Sequence, residues 1–349
     1  MSPLIIYDPG HWLSMFGFNA LGQTYSSQQD ALAQSGTHIA ILDFINPESC
    51  DHNRYNMIIW SGLENINLFW NRLPLSGRDW VISPTVVDHD MGICNPSFCY
   101  SLAHKCQTHY NKPHKQAPMW ADMLVGRILS KQHENRARCL YELLTRGWQH
   151  HVIVTAREIN INVIPNDINQ SEVWQQKLPN YDHYESHAFA NSFHGDLKST
   201  FGDVISKDPE LVMPWHMYRN SLYSVVIADS QGHYLDEKIA RPMIATRPFI
   251  VMGPAGYLQA LRNLGFATFD PVIDESYDLE PNEQRRYSMA LDSLGKLAHQ
   301  NSQSVYDRLK KRLQHNRKLV YNSEYWRNRL KDWLNNTIKQ ETGIQCAIY

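Results

Sequence analysis

The chain has 349 residues, 43% hydrophobic and 19% charged, with a formal net charge of −2. This is enough apolar material for two full-sized cores and excludes general disorder. The near-neutral balance also argues against a protein held to nucleic acid by broad electrostatics.

The first third alternates short apolar runs with helix-like segments. Leu4–Tyr7, His38–Phe44, Met57–Trp60 and Trp80–Ser83 are predicted strands, with predicted helices at Ser26–Gln34 and Leu63–Leu73 between them. Strands alternating with helices imply parallel pairing and a Rossmann-like layer. The polar segment KPHKQAPMWA, Lys112–Ala121, holds two prolines and no strong periodicity, which marks a boundary. Met123–Ile128 then opens a second α/β layer, continued by Val152–Val154, Ser224–Ala228 and Pro248–Met252. Asn160–Ser221 is polar and carries Pro165, Pro179, Pro209 and Pro214, so irregular connections are expected there. Glu283–Leu297, Ser304–Leu319 and Glu324–Ile338 have apolar residues near helical spacing. The expected division is 1–118, 119–322 and a closing helix within 323–349.

No apolar run reaches about 18 residues, so no membrane span is expected. The start, MSPLIIYDPGHW, shows no basic region followed by a long apolar one, so a signal peptide is not expected either and the reading is cytoplasmic. Six cysteines (Cys50, Cys94, Cys99, Cys106, Cys139 and Cys346) have no framework spacing. Cys94-x4-Cys99 followed by Cys106 invites a zinc site, but the paired C-x2-C spacing is missing, and reduced thiols are expected.

The most informative stretch is Leu222–Asp278. It reads as strand, charged loop, helix from Glu237 with Asp236 as cap, strand, glycine turn at Gly253–Gly256, helix and acidic loop. Ligands of open α/β sheets bind outside the carboxyl ends of the strands, where Asp229–Lys238 and Gly253–Gly256 fall. A nucleotide-type site is expected there. Arg247, just before the second strand, is read as solvent-facing.

The same stretch resembles the nucleotide-sugar half of a GT-B glycosyltransferase, nearest to the fucosyltransferase-like group and its phage and bacterial relatives. The likeness rests on Asp229, the Glu237-Lys238 pair, PFIVMGPAGYL, LRNLGFATFD and IDESYD. Upstream, MLVGRILSKQHENRARCLYELL resembles that group's opening strand, basic loop and first helix. Downstream, His315-Asn316-Arg317 resembles its closing segment, so the likeness covers roughly Met123 to Leu334. Fucosyltransferases usually show Thr before Glu-Lys; Asp236 stands here.

The resemblance implies two Rossmann-like domains facing across a cleft and a nucleoside-diphosphate sugar as donor substrate, with no further cofactor. Lys238, Arg127 and Arg136 would then meet the diphosphate, since cations and guanidinium forks suit phosphate oxygens. Glu237 and Asp229 would accept hydrogen bonds from ribose or sugar hydroxyls, although Glu237-Lys238 is equally a solvated helix pair. Lys131 and Arg138 follow Arg127 closely and read as solvent-facing helix residues as readily as phosphate contacts. Gly253 and Gly256 would allow close backbone approach or merely an ordinary helix entry. Asp274 and Glu275 would bind sugar hydroxyls or cap the next segment. In the resembled family the base that deprotonates the acceptor comes from the first domain. Asp8 and His11 are the favoured candidates, ahead of Asp43 and Asp88-His89-Asp90. Asp88-x-Asp90 also mimics a metal-binding D-x-D, yet the basic residues make a metal unnecessary, and none is expected. The expected acceptor is a glycan or a modified DNA base, with inversion at the sugar. The alternatives are a non-catalytic nucleotide- or glycan-binding module and a sugar-nucleotide hydrolase or epimerase.

Overall fold

The structure, a computed structural model, describes residues 4–9, 23–43, 54–61, 79–83, 85–86, 92–94, 117–128, 130–169, 171–176, 215–228, 233–235 and 237–344. The chain divides into two compact units, Met1–Ser101 with Asn322–Tyr349, and Leu102–Tyr321. The strands that build the two main sheets are β1 Leu4–Tyr7, β2 Gln23–Tyr25, β3 Thr37–Asp43, β4 Met57–Ser61, β5 Asp79–Ser83, β6 Gly92–Cys94, β7 Met119–Ile128, β8 Val152–Ile159, β9 Ser221–Ile227 and β10 Phe249–Met252. The principal helices are α1 Gln28–Leu32, α2 Glu134–Thr145, α3 Trp215–Asn220, α4 Glu237–Ile244, α5 Tyr257–Asn263, α6 Glu283–Ala298, α7 Ser302–Tyr321 and α8 Ser323–Thr342.

The first unit is a parallel sheet of order β2-β1-β3-β4-β5-β6. Its central strands are apolar on both faces, as parallel strands covered on both sides require. Leu4, Ile6, Ile39, Ile41, Met57, Ile59 and Ile82 form one apolar face, and Leu330, Leu334 and Ile338 of α8 pack on it. Those three residues recur every four positions, a single stripe on one helix side. Asn322 caps α8 by accepting the Tyr325 N–H at 3.0 Å, and Gly343 closes it in the left-handed conformation at φ 70°. The edge strand β2 was not predicted. Its sequence QTY is largely exposed, and pairing with β1 rather than apolar burial makes it a strand. The predicted helix Leu63–Leu73 lies outside the described residues.

The second unit is a parallel sheet of order β10-β9-β7-β8. Each unit is thus Rossmann-like α/β, as expected. From β7 the chain steps one way to β8 and then returns to β9 on the other side. Right-handed crossovers in opposite directions put α2 and α4 on opposite faces and leave a switch point between β7 and β9. Strand β7 begins at Met119, inside the stretch read as a boundary, because Trp120 already donates its N–H to His151 at 2.8 Å. Trp120 also stacks on the His151 ring with centroids 4.1 Å apart. Within Asn160–Ser221, the described parts include the short helix Ser171–Trp174 as well as α3.

Arg247 corrects the sequence reading. It is 1% exposed, not solvent-facing. Its Nη2 donates to Asp122 Oδ1 at 3.0 Å, Ser221 Oγ at 2.8 Å and the Tyr223 carbonyl at 2.8 Å. Its Nη1 reaches the carbonyls of Tyr218 at 2.9 Å and Ser221 at 3.0 Å, while Nε donates to Ser224 Oγ at 3.1 Å. The guanidinium also lies 4.5 Å from the Tyr218 ring centroid. A buried cation is tolerated when its donors are satisfied and a carboxylate is in contact, and both conditions hold here.

Two stability outcomes follow. Leu334→Ala should cost about 2–5 kcal/mol in urea unfolding, since it empties space between α8 and the first sheet. Arg247→Met alone should cost about 3–5 kcal/mol by stranding the Asp122 carboxylate, and adding Asp122→Leu should return much of it.

Candidate functional site

The carboxyl ends of β7 and β9 meet at the switch point of the second sheet. Strand β7 breaks its register on both sides of Gly126, whose φ is 72°. A Cβ at Gly126 would lie 3.1 Å from Arg136 Nη1, so glycine both permits the backbone turn and admits the guanidinium against it. Arg127 sits in this break; its side chain lies outside the description, as does that of Glu237. Asn135, buried in the first turn of α2, donates from Nδ2 to the Ala228 carbonyl at 2.6 Å. That bond fastens the head of α2 to the end of β9 across the switch point. Arg136, next in sequence, is half-buried beside it.

Arg138 faces away from this cluster. It is gripped by Glu134 at 2.6 Å and Asp167 at 2.7 Å, and the Asp167 bond foremost raises its pKa above the usual arginine range. Lys131 is exposed. Asp229 and Asp236 lie outside the described residues. Helix α4 starts at Glu237 as predicted, and half-buried Lys238 lines a small cavity beneath it. Pro242 has no N–H to offer the Lys238 carbonyl, so that carbonyl loses its i+4 helical partner in the first turn of α4.

The glycine turn after β10 is built by close packing. A Cβ on Gly253 would stand 2.8 Å from Ala228 Cβ, and its carbonyl accepts Arg286 Nε at 2.7 Å. Gly256 adopts φ 77° and donates its N–H to the Asp278 carbonyl at 2.7 Å. The next free amides of α5 are already taken: Leu258 and Gln259 donate to the Asp278 carboxylate at 2.8 and 3.1 Å. An internal anion therefore occupies the helix end that a phosphate would otherwise find. His233 donates from Nε2 to the Ala255 carbonyl at 2.8 Å and so ties the loop after β9 to the same turn.

Asp274 and Glu275 both act as fasteners. Asp274 accepts the Ser276 N–H at 3.2 Å and hydroxyl at 2.7 Å and pairs with Lys296 at 2.8 Å. The Lys296 bond foremost lowers its pKa to about 2. Glu275 is buried, accepts the Phe269 N–H and pairs with Arg262 at 3.1 Å; burial pushes its pKa up. Part of the resemblance likewise rests on fold-building residues. Asn316 brackets Ala267 with two backbone bonds of 2.7 and 2.8 Å, and His315 bonds the Gly265 carbonyl at 2.7 Å.

In the first sheet, β1 and β3 flank the corresponding switch point. Asp8 follows β1 there, 1% exposed, with its N–H donated to the Tyr25 carbonyl at 2.9 Å. Asp43 ends the adjacent β3. His11 and Asp88-His89-Asp90 lie outside the described residues.

The geometry thus gathers the Arg127 backbone, Arg136, Lys238 and the Gly253 turn at one edge of the second sheet, and assigns Asp274 and Glu275 internal partners. Asn135, Asp278 and Arg286 were missed. Only Asp278 carried a local signal, as the acidic residue that closes the IDESYD loop.

No family model and no curated protein sequence matches the chain. Among solved structures it is similar to the crystal structure of TarM, at 12% identity over 96% of this chain and 54% of that one, with a TM-score of 0.35. It is also similar to the C-terminal domain of the group 1 glycosyl transferase LpcC from Francisella tularensis, at 15% identity over 56% of this chain and 88% of that one, TM-score 0.28. A UDP-forming trehalose-phosphate synthase from Burkholderia xenovorans matches at 11% identity over 96% of this chain and 74% of that one, TM-score 0.39. The chain spans about half the length of the TarM structure. Likeness at this level assigns neither family nor activity.

The Asp274–Lys296 pair gives a signed pH dependence. Because the folded pKa lies near 2, below the ordinary 3.8, its stabilising share is complete above about pH 3.8 and is lost as pH falls through about 2. Lys296→Ala should narrow the wild type's margin above that window and leave no difference below it, measured by unfolding at stepped pH. The pair is half-exposed, so added salt should shrink the effect.

Proposed function

We propose that the protein is a glycosyltransferase of GT-B type that takes a nucleoside-diphosphate sugar and transfers the sugar to a hydroxyl of a glycan or a modified DNA base. The observation that supports this reading is that Arg136 lies against Gly126 near the end of β7 and Lys238 stands in the first turn of α4, which follows β9, the two strands that flank the switch point where open α/β sheets bind nucleotides.

The chemistry follows from charge. Breaking the bond between sugar and diphosphate leaves negative charge on the departing phosphate oxygens, and fixed cations lower the energy of that state. Arg136 presents a planar fork to two oxygens, Arg127 extends the same end of β7, and Lys238 supplies a compact charge from α4. With these cations in place the reaction needs no metal. Glu237 and Asp229 receive donor hydroxyls. Because α5 is capped by Asp278, the Gly253–Gly256 turn serves the donor through backbone approach rather than through the α5 amides. The acceptor hydroxyl gives its proton to Asp8 or His11 as its oxygen attacks the sugar carbon from the face opposite the departing diphosphate, and this single displacement gives inversion. The two parallel α/β units support the GT-B type, one for each substrate.

Titration calorimetry with a panel of nucleoside diphosphates and their sugars tests this. One base should bind selectively, with affinity unchanged by EDTA, and Lys238→Ala and Arg136→Ala should each weaken it roughly 10- to 100-fold. Asp8→Asn or His11→Ala should leave donor binding intact while lowering turnover by about 10²–10⁴. A folded protein that binds no nucleotide would sink the proposal.

A further inference from the structure

Helix α7 presents a block of positive charge in a chain whose acidic residues outnumber its basic ones, 35 to 33. From Arg308 to Lys318 it holds six lysines and arginines and no aspartate or glutamate. The helix has one acidic residue, Asp307, which precedes the block and accepts Gln303 Nε2 at 2.9 and 2.7 Å through its two carboxylate oxygens. A near-neutral total excludes a broad attractive field but not a local row of this kind.

The packing of α7 sets the row on its outer side. Val305, Leu309, Leu313 and Val320 are buried and take one side of the helix. Arg308, Lys311 and Lys318 follow one another at intervals of three and seven residues, a helical repeat, and all three are exposed, as is Lys310. Along the flank, Arg312 donates to the Thr268 carbonyl at 2.6 Å and His315 bonds the Gly265 carbonyl at 2.7 Å, so the helix is fastened to the loop after α5.

At about 1.5 Å per residue, Arg308 and Lys318 stand about 15 Å apart along the axis, a length in which one strand of duplex DNA places about four phosphates. A helix that lies on a membrane turns apolar side chains outward. The large apolar residues exposed among the described residues are Ile159, Leu279 and Tyr325, none of them on α7.

We propose that α7 docks the protein on the phosphate backbone of duplex DNA through Arg308, Lys310, Lys311 and Lys318. The contact is with the backbone alone, so it is indifferent to sequence and sensitive to salt. The choice of DNA among polyanions rests on the proposed transfer to a DNA base, and it selects that acceptor over a glycan.

Fluorescence anisotropy of a short labelled duplex, with the full chain and no nucleotide sugar present, tests docking apart from the donor reading. Affinity should fall roughly 100-fold between about 50 and 200 mM salt, a log–log slope of about −3 to −4. Arg308→Gln, Lys311→Gln and Lys318→Gln should each flatten that slope by about one, so the test survives if their combination fails to fold. No binding at the lowest salt, a slope that the substitutions leave unchanged, or capture by phosphatidylserine vesicles at equal or greater affinity would overturn the proposal. Duplex binding without any nucleotide binding would count against the transfer reading and leave the docking surface standing.

Discussion

The buried guanidinium of Arg247 is the interaction on which the second unit depends. It sits just before β10, and its hydrogen bonds reach Asp122 of β7, three residues of β9 and the Tyr218 carbonyl of α3. One side chain therefore ties three parallel strands and a helix together near the starts of those strands. Parallel strands share a direction, so fixing their starts also fixes where their ends emerge. The single contact with Asp122 supplies the countercharge, and Ser221 and Ser224 satisfy the remaining polar groups. A pair of this kind gains little net stability over apolar packing but is costly to break on one side, which favours a unique arrangement.

With the strand starts locked, the opposite edge is free to be irregular. Gly126 turns left-handed, β7 loses register, and Asn135 reaches across to Ala228 instead of leaving that carbonyl to water. The irregular backbone of β7 is concentrated at this edge. The acidic loop after α5 supports this edge from behind. Asp278 caps α5, Glu275 holds Phe269 in place, and Arg286 secures the Gly253 carbonyl.

Much of this architecture is legible in the sequence because buried parallel strands are apolar on both faces. Leu4–Tyr7, Met57–Ser61 and Phe249–Met252 announce themselves as short apolar runs. The edge strand Gln23–Tyr25 does not, since its exposed residues owe their conformation to a neighbour. Arg247 misleads for a related reason. Beside a proline it looks like a surface charge, and its burial depends on Asp122, which stands 125 positions earlier. The Asp274-Glu275 pair was ambiguous because binding and capping ask for the same side chains. The partners that give both residues structural work, Lys296 and Arg262, arrive only with the fold. For the site, the sequence indicates the strand-end loops and the Glu237-Lys238 helix start. It cannot show that Arg136 rests against Gly126, or that Asp278 fills the head of α5.

The most direct test of the central claim, that the ligand edge is the β7–β9 switch point, is amide hydrogen exchange with and without a panel of nucleoside diphosphates. The nucleotide that binds should protect residues 126–136 and 237–241 together, while the strand starts around Asp122 and Ser221, already locked, stay unchanged. Protection confined to the first unit, or to the strand starts of the second, would contradict it.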